Sequence, residues 1–154
     1  MSDIAAITQR EISLISRFVA LLKDEQAALK QARASALPEI NTAKNTLVEQ
    51  LNALEIERRS ALGIVGEENT RQAMTQWLAK HPENKSATVN WEKLLNFARE
   101  AKELHELNAR LVGLHLQQTT EAIAILTRQS AEHALYGSNG QAGQYTGSRI
   151  VDSA

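Results

Sequence analysis

The chain has no cysteine, and apolar residues never run uninterrupted for long. Without cysteine, disulfides and thiolate metal sites are excluded, and a reducing compartment is favoured. No apolar run approaches the ~18 residues that a membrane-spanning helix needs. Residues 1–9 lack the basic region and apolar core of a signal peptide. We therefore expect a soluble, cytoplasmic protein with no membrane insertion.

An excess of one charge is also missing. Seventeen Lys and Arg stand against 18 Asp and Glu, which gives a formal net charge of -1, and both signs are mixed along the chain. No basic stripe is available for phosphates, so we expect no nucleic-acid partner. With 154 residues, 43% hydrophobic and 4% aromatic, the composition is typical of one helical globular domain rich in Ala, Leu, Glu, Gln and Lys.

The stretch from about Thr88 to Leu135 has no proline and one glycine. Its apolar residues recur at steps of three and four, which predicts one helix packed lengthwise against others. At 1.5 Å per residue this helix would be about 70 Å long, so we expect an elongated molecule. The first apolar row consists of Leu94, Phe97, Ala101, Leu104, Leu107, Leu111, Leu114, Gln118, Ala122 and Ile125.

A second apolar row begins at Val112 and continues through Leu116, Ile123 and Leu126, on another side of the same helix. Two interpretations are open. The row is core, covered by the first or second helix of the chain, or it is an exposed surface that takes an amphipathic helix from another protein.

Upstream of this helix the pattern predicts three more. Glu11 and Glu25 interrupt the apolar stripe of the first helix, Pro38 separates it from the second, and Gly63 and Gly66 mark the end of the second. We expect a loop at residues 83–87, with Thr88 or Asn90 as the cap of the long helix. The predicted spans are Asp3 to Ala36, Pro38 to Leu62 and Glu67 to Lys80.

The predicted fold is therefore all-α, an elongated antiparallel helical bundle at residues 1–135 with one long C-terminal helix. Four of the seven glycines fall between Gly137 and Gly147, so residues 136–154 are predicted to form a flexible tail. Ile150 and Val151 form a small apolar group in it, equally consistent with a short docking element and with no role.

The side chains of an enzyme site are missing. The four histidines show no i, i+4 pair of the zinc-site type and no Glu-x-x-His pair of the di-iron type. Gly137-Ser138-Asn139-Gly140 follows a helix and lacks the Lys-Ser or Lys-Thr of a phosphate loop. We expect no catalysis, no metal and no cofactor. A small helical enzyme or metal carrier stays as a third alternative.

Several single residues have two interpretations. Asn108 and Gln118 lie on the first row, where a buried polar side chain can fix helix register, although we expect partial exposure instead. Gly113 permits a close helix crossing or a bend. Trp77 and Trp91 are expected to pack together and fasten the short helix to the long one, with a binding platform as the alternative.

The tail carries a distinctive string of residues. Tyr136-Gly137-Ser138-Asn139-Gly140-Gln141, just past the long helix, resembles the Tyr-Gly-x-x-Gly-Gln motif of the FlgN family of flagellar export chaperones. Leu104-His105-Glu106-Leu107-Asn108 resembles the Leu-x-x-Leu-Asn stretch of that family on the same helix. Chain length, helical pattern and helix order agree with the family as well.

The resemblance implies a cytoplasmic chaperone of type III flagellar export. It would bind the hook-filament junction proteins FlgK and FlgL, prevent their premature assembly, and deliver them to the export gate protein FlhA. The family positions associated with gate docking match Tyr136, Gly137, Gly140 and Gln141. The client-binding residues on this hypothesis are Leu111, Val112, Leu116, Ile123 and Leu126. The main alternative is a structural coiled coil that uses the same rows to self-associate.

Overall fold

The computed structural model describes residues 3–64 and 70–135, with side chains described through residue 128. The described chain is helical, and no strand occurs in these two ranges, so the all-α prediction is confirmed. It divides into two compact units, Met1–Ala109 and Arg110–Ala154. The helices are α1 (Ile4–Lys30), α2 (Leu37–Ala61), α3 (Thr70–Lys80) and α4 (Lys85–Leu135), with a 3-10 turn at Ala34–Ala36.

Helix α1 ends six residues earlier than predicted. Its last carbonyls are closed by a Schellman motif, in which Arg33 N donates to Ala28 O at 2.8 Å and Ala32 N donates to Leu29 O at 3.3 Å. Ala32 takes a left-handed conformation, with φ of 53°. Alanine is the best helix former, so no local signal marks this end, and the prediction of a helix to Ala36 was wrong.

Helix α2 agrees with the prediction within one residue at each end. Leu37 adopts helical torsion angles, although a residue before proline usually avoids them, and Pro38 lies in the first turn. At the other end, Gly63 has a φ of 72°. Gly63 N donates to Ser60 O and Ile64 N donates to Arg59 O. The predicted glycine terminus is confirmed.

Helix α4 has 51 residues and begins at Lys85. Its N-terminal cap is Asn84, whose Oδ1 accepts a hydrogen bond from Ala87 N at 3.2 Å. The predicted loop was therefore wrong for residues 85–87, which are helical, and the predicted caps at Thr88 and Asn90 were wrong. Asn90 is buried instead, and its Nδ2 donates to Ala5 O at 3.0 Å. The cap at Asn84, four residues before Thr88, allowed the helix to begin earlier.

Within the first unit, α1, α2 and α4 form an up-down-up arrangement. Residue pairs between α1 and α2 run in opposite directions, from Arg10 with Glu57 to Glu25 with Lys44, so these helices are antiparallel. Pairs between α1 and α4 rise together, as Ala5 with Asn90 and Leu22 with Asn108 show. Helices α1 and α4 are therefore parallel.

Two hydrophobic clusters form the core of this unit. The larger one takes buried residues from α1, α3 and α4, namely Ile4, Ile15, Met74, Ala87, Trp91 and Leu94, and residues of α2 pack against it. The smaller one joins α1 to α4 through Val19, Leu22 and Ala101. The short helix α3 is thus attached to the bundle mainly through Met74, which is fully buried.

Both tryptophans belong to the larger cluster, but each ring stacks on a different partner. Trp77 stacks on the His81 ring with 4.2 Å between ring centroids, and His81 Nδ1 lies 2.8 Å from Trp77 O. The Arg58 guanidinium lies 5.0 Å from the Trp91 ring centroid. Both tryptophans lie in the cluster that joins α3 to α4, and direct packing of one tryptophan ring on the other stays a prediction.

In the residues that the structure describes, no helix combines the length and the apolar character needed to cross a membrane.

Candidate protein-binding surface

Burial along α4 stops at one residue. Trp91, Leu94, Ala101 and Asn108 are buried in the first unit, whereas no residue from Arg110 to Arg128 is. The second unit nonetheless carries many large apolar side chains. Their exposed fractions are 51% for Val112, 50% for Leu114, 66% for Leu116, 50% for Ile123, 51% for Ile125 and 64% for Leu126.

The second apolar row is therefore not core, since its four members are exposed by half or more. The first row divides into two parts. It packs in the bundle as predicted through Ala101 and Leu104, but the prediction of helix packing was wrong for Leu107, Leu114 and Ile125, which are exposed. These three residues were missed as surface positions, because they continue the row without any break in pattern.

Together the two rows form one wide surface. At 100° per residue, the row of Leu111, Leu114 and Ile125 lies roughly 125° from the row of Val112, Leu116, Ile123 and Leu126. His115 and Thr119 occupy positions between the two rows and join one to the other. We call this surface, from Leu114 on one side to Leu116 on the other, the apolar arc; it covers roughly 200° of the helix.

Charge is nearly absent from this part of α4. Between Arg110 and Arg128, Glu121 is the one residue with a formal charge at neutral pH. Arg110, Glu121 and Arg128 lie just outside the apolar arc, roughly 20–40° beyond its edge at Leu114. Depletion of charge with retention of large apolar side chains is the composition of the centre of a protein interface.

Of the predicted client-binding residues, four are exposed and Leu111 is half-buried. All five lie on the apolar arc. The structure therefore brings them together on one surface, and whether they bind a client stays a prediction. The predicted docking residues Tyr136, Gly137, Gly140 and Gln141 lie outside the described residues, as does the predicted tail.

A polar network lies where burial ends. Asn108 is 2% exposed, and its Nδ2 donates to Leu22 O at 2.9 Å and to Glu25 Oε1 at 2.8 Å. Lys44 Nζ lies 2.9 Å from the other oxygen of Glu25. These contacts tie α1, α2 and α4 in one register. The expectation of partial exposure was wrong for Asn108 and is confirmed for Gln118, which is exposed.

A second buried charge pair lies nearer the other end of α1. Arg58 donates to both carboxylate oxygens of Glu11, at 2.8 and 3.2 Å, and both side chains are almost fully buried. Burial raises the pKa of the Glu11 carboxyl above 4.5, although the hydrogen bond and the charge of Arg58 act in the opposite direction. The pair connects two helices and stacks on Trp91, so its geometry is structural.

In the sequence, Glu11 and Glu25 were interpreted only as interruptions of an apolar stripe, and their partners on α2 were not predicted. A signal was present, since Arg58 and Lys44 interrupt the facing stripe of α2 with the opposite charge. Antiparallel helices bring such positions opposite one another.

Gly113 lies inside α4, near the start of the second unit. A Cβ built there meets nothing within 4 Å. A close crossing of another helix in the described chain is therefore not the reason for this glycine.

Groups of three or more His, Asp or Glu side chains that could hold a metal do not occur in residues 3–64 and 70–128. His105 is exposed and His115 is half-buried, as expected for surface or boundary histidines.

Comparison with known proteins gives one finding. The sequence model of the FlgN family, described as FlgN protein, matches residues 1–144. The match includes all four described helices and extends past Gln141. No curated protein and no solved structure matches the chain.

Proposed function

Because this chain belongs to the FlgN family, a family of flagellar export chaperones, we propose that its clients are the hook-filament junction proteins FlgK and FlgL. It holds them before export, prevents their premature assembly, and delivers them to the export gate protein FlhA. The protein acts in the cytoplasm and performs no catalysis, and it needs no cofactor for either step.

The observation that carries this proposal is the exposed apolar arc. Six large apolar side chains are each at least half exposed within five turns of one helix. In a monomeric soluble protein such a patch marks a surface that meets another protein. Membership of the FlgN family supports a flagellar export substrate as that protein.

The chemistry of the clients fits this surface. Proteins that polymerise through amphipathic helical termini bury those apolar faces only in the assembled filament. Before assembly the faces are exposed and prone to premature association. A chaperone helix with an exposed, uncharged arc covers them by the same hydrophobic contacts.

The first test concerns the arc itself. Replacing Leu116 and Ile123 by glutamine removes two of its exposed side chains, and we expect client affinity to fall about tenfold or more while helicity by circular dichroism is unchanged. The matched control places the same two glutamines at Thr120 and Ala124, on the opposite side of α4. Unfolding of the first variant, or unchanged binding by it, would remove the arc from the proposal.

The second test concerns delivery. On this proposal Tyr136, with Gly137, Gly140 and Gln141, contacts the export gate and takes no part in client binding. Replacing Tyr136 by alanine should leave the client Kd unchanged and lower the export rate of FlgK and FlgL in cells. An unchanged export rate would contradict the docking role of Tyr136, whereas the proposal of client binding would not be affected.

A structural coiled coil built from copies of this chain is the competing function. The mass of the purified chain across a dilution series separates the two. A chaperone without its client reaches the monomer mass on dilution, whereas a coiled coil built for self-association keeps its oligomer mass.

A further inference from the structure

We propose that the apolar arc receives two amphipathic helices from a single client molecule, one packed along each row. This inference rests on the proposed function, because it specifies the form in which the client is bound. It depends on how the side chains of residues 111–126 are arranged around α4.

The apolar arc is wider than one partner helix needs. A helix that packs on one neighbour needs an apolar stripe of about 100°. The arc is roughly twice as wide, and its two rows lie roughly 125° apart. One partner helix along the first row leaves Val112, Leu116 and Ile123 uncovered. A second helix is required to cover them.

The two rows have the same length. The first row runs through Leu111, Leu114, Gln118, Ala122 and Ile125, at steps of three and four. The second row runs through Val112, Leu116, Ile123 and Leu126, with the small polar Thr119 in the gap between Leu116 and Ile123. Each row therefore offers large apolar side chains to one partner helix along its whole length. Both span about 15 residues, so each client helix needs about four turns to match its row.

Formal charge is confined to one edge of the arc. Arg110, Glu121 and Arg128 lie roughly 20–40° beyond Leu114, so the faces of the client helices that meet the centre of the arc are apolar and uncharged. Binding by such faces depends little on ionic strength, because no charged pair is made or lost at the centre of the interface.

A second copy of the chain fits this surface less well. Its own arc is equally wide, so pairing two arcs along one row leaves the other row of each copy exposed. Such a dimer would keep two apolar rows in water and would continue to associate. Two helices of one client close the surface in a complex of defined size.

The test uses the full chain, a full-length hook-filament junction protein, and two double variants. Leu114→Gln with Ile125→Gln alters the first row, and Leu116→Gln with Ile123→Gln alters the second. Thr120→Gln with Ala124→Gln is the matched control. Client affinity, the mass of the complex, and hydrogen exchange of the client are measured for each.

We expect a complex of one chaperone and one client in which two separate client segments of about 15 residues are protected. Each row variant should weaken binding about tenfold and should release a different segment, while the control behaves as the original chain. Raising the salt concentration from low to physiological should change the Kd by less than about threefold.

Three results would overturn the inference while the proposed function stands. One is a single protected client segment; another is sensitivity to one row alone; the third is a complex that contains two copies of the chaperone. Failure of the unaltered chain to bind the client would instead overturn the proposed function.

Discussion

Glu11 and Arg58 are charged residues at positions that the helical pattern assigns to the core. The pair is hydrogen-bonded through both carboxylate oxygens, yet Arg58 Nη1 is buried without a hydrogen-bond partner. Removing two charges from water costs several kcal/mol per ion, which the contact only partly recovers. The pair is therefore better explained by register than by stability, since it fixes how α1 lies on α2.

A double-mutant cycle tests this account. Arg58→Met leaves Glu11 buried without its partner and should lower the free energy of unfolding by about 3–5 kcal/mol. Adding Glu11→Leu should restore the lost stability, giving a protein as stable as the original or more stable by about 1–4 kcal/mol. Urea unfolding measures each variant.

The exposed pair of Arg10 and Glu57 is the matched control, because it joins the same two helices one residue away. Its side chains are 60% and 41% exposed, so removing it should cost less than about 1 kcal/mol. A double variant at Glu11 and Arg58 that is several kcal/mol less stable than the original would show instead that the buried pair is a net source of stability.

The same pair makes a pH prediction. Because burial raises the pKa of Glu11 above 4.5, the folded state holds this proton more tightly than the unfolded state does. The contribution of Glu11 to the free energy of unfolding is therefore fully present below pH 4.5 and is lost as pH rises through the raised pKa. The original chain should therefore gain stability relative to Glu11→Gln as pH falls. A relative loss of stability as pH falls would contradict the assignment.

At the scale of the helices, α1 and α2 end in the same motif with different residues at its left-handed position. Ala32 has a φ of 53° and Gly63 a φ of 72°. A Cβ costs about 1–2 kcal/mol in this conformation, whereas glycine adopts it freely. The end of α1 therefore carries backbone strain at Ala32, whereas the end of α2 has Gly63 at the equivalent position and carries none.

Ala32→Gly should therefore raise the free energy of unfolding by about 0.5–1 kcal/mol, after the greater backbone freedom of glycine in the unfolded chain is counted. Gly63→Ala should lower it by about 1 kcal/mol. A Cβ at Gly63 meets nothing within 4 Å, so this loss would report the backbone conformation alone. Urea midpoints at constant m-value measure both changes, and loss of stability in Ala32→Gly would contradict the account.

The ends of the helices could be predicted from the sequence where a local signal marks them. Pro38, Gly63 and the residues before Pro82 marked ends that the structure confirms. The end of α1 at Lys30 could not be predicted, because a Schellman motif with alanine leaves no trace in the sequence. The start of α4 was missed by three residues, since Asn84 caps it from within a segment that looks like a loop.

The exposed apolar arc could be predicted from the sequence less completely. The second row was visible as a pattern, but the pattern is the same for a core row and an exposed one. Leu114 and Ile125 continue a buried row, and only the packing of the helices decides that burial ends at Asn108. The buried role of Asn108 depends on Leu22 and Glu25, which lie more than eighty residues away.

At the scale of the whole molecule, the chain uses the same kind of side chain in two ways. In residues 3–64 and 70–109 apolar side chains form two buried clusters, whereas in residues 110–128 no apolar side chain is buried. A chaperone needs both, because it must remain folded while it offers an apolar surface to a client that is not yet assembled.

The most direct measurement is backbone amide hydrogen exchange of the purified chain, alone and titrated with the C-terminal segment of a hook-filament junction protein, with calorimetry for the affinity. The account predicts tight binding, and amides from Val112 to Leu126 that exchange readily in the free chain and become protected in the complex. No binding, with these amides already protected in the free chain, would contradict it and would favour a self-associating coiled coil.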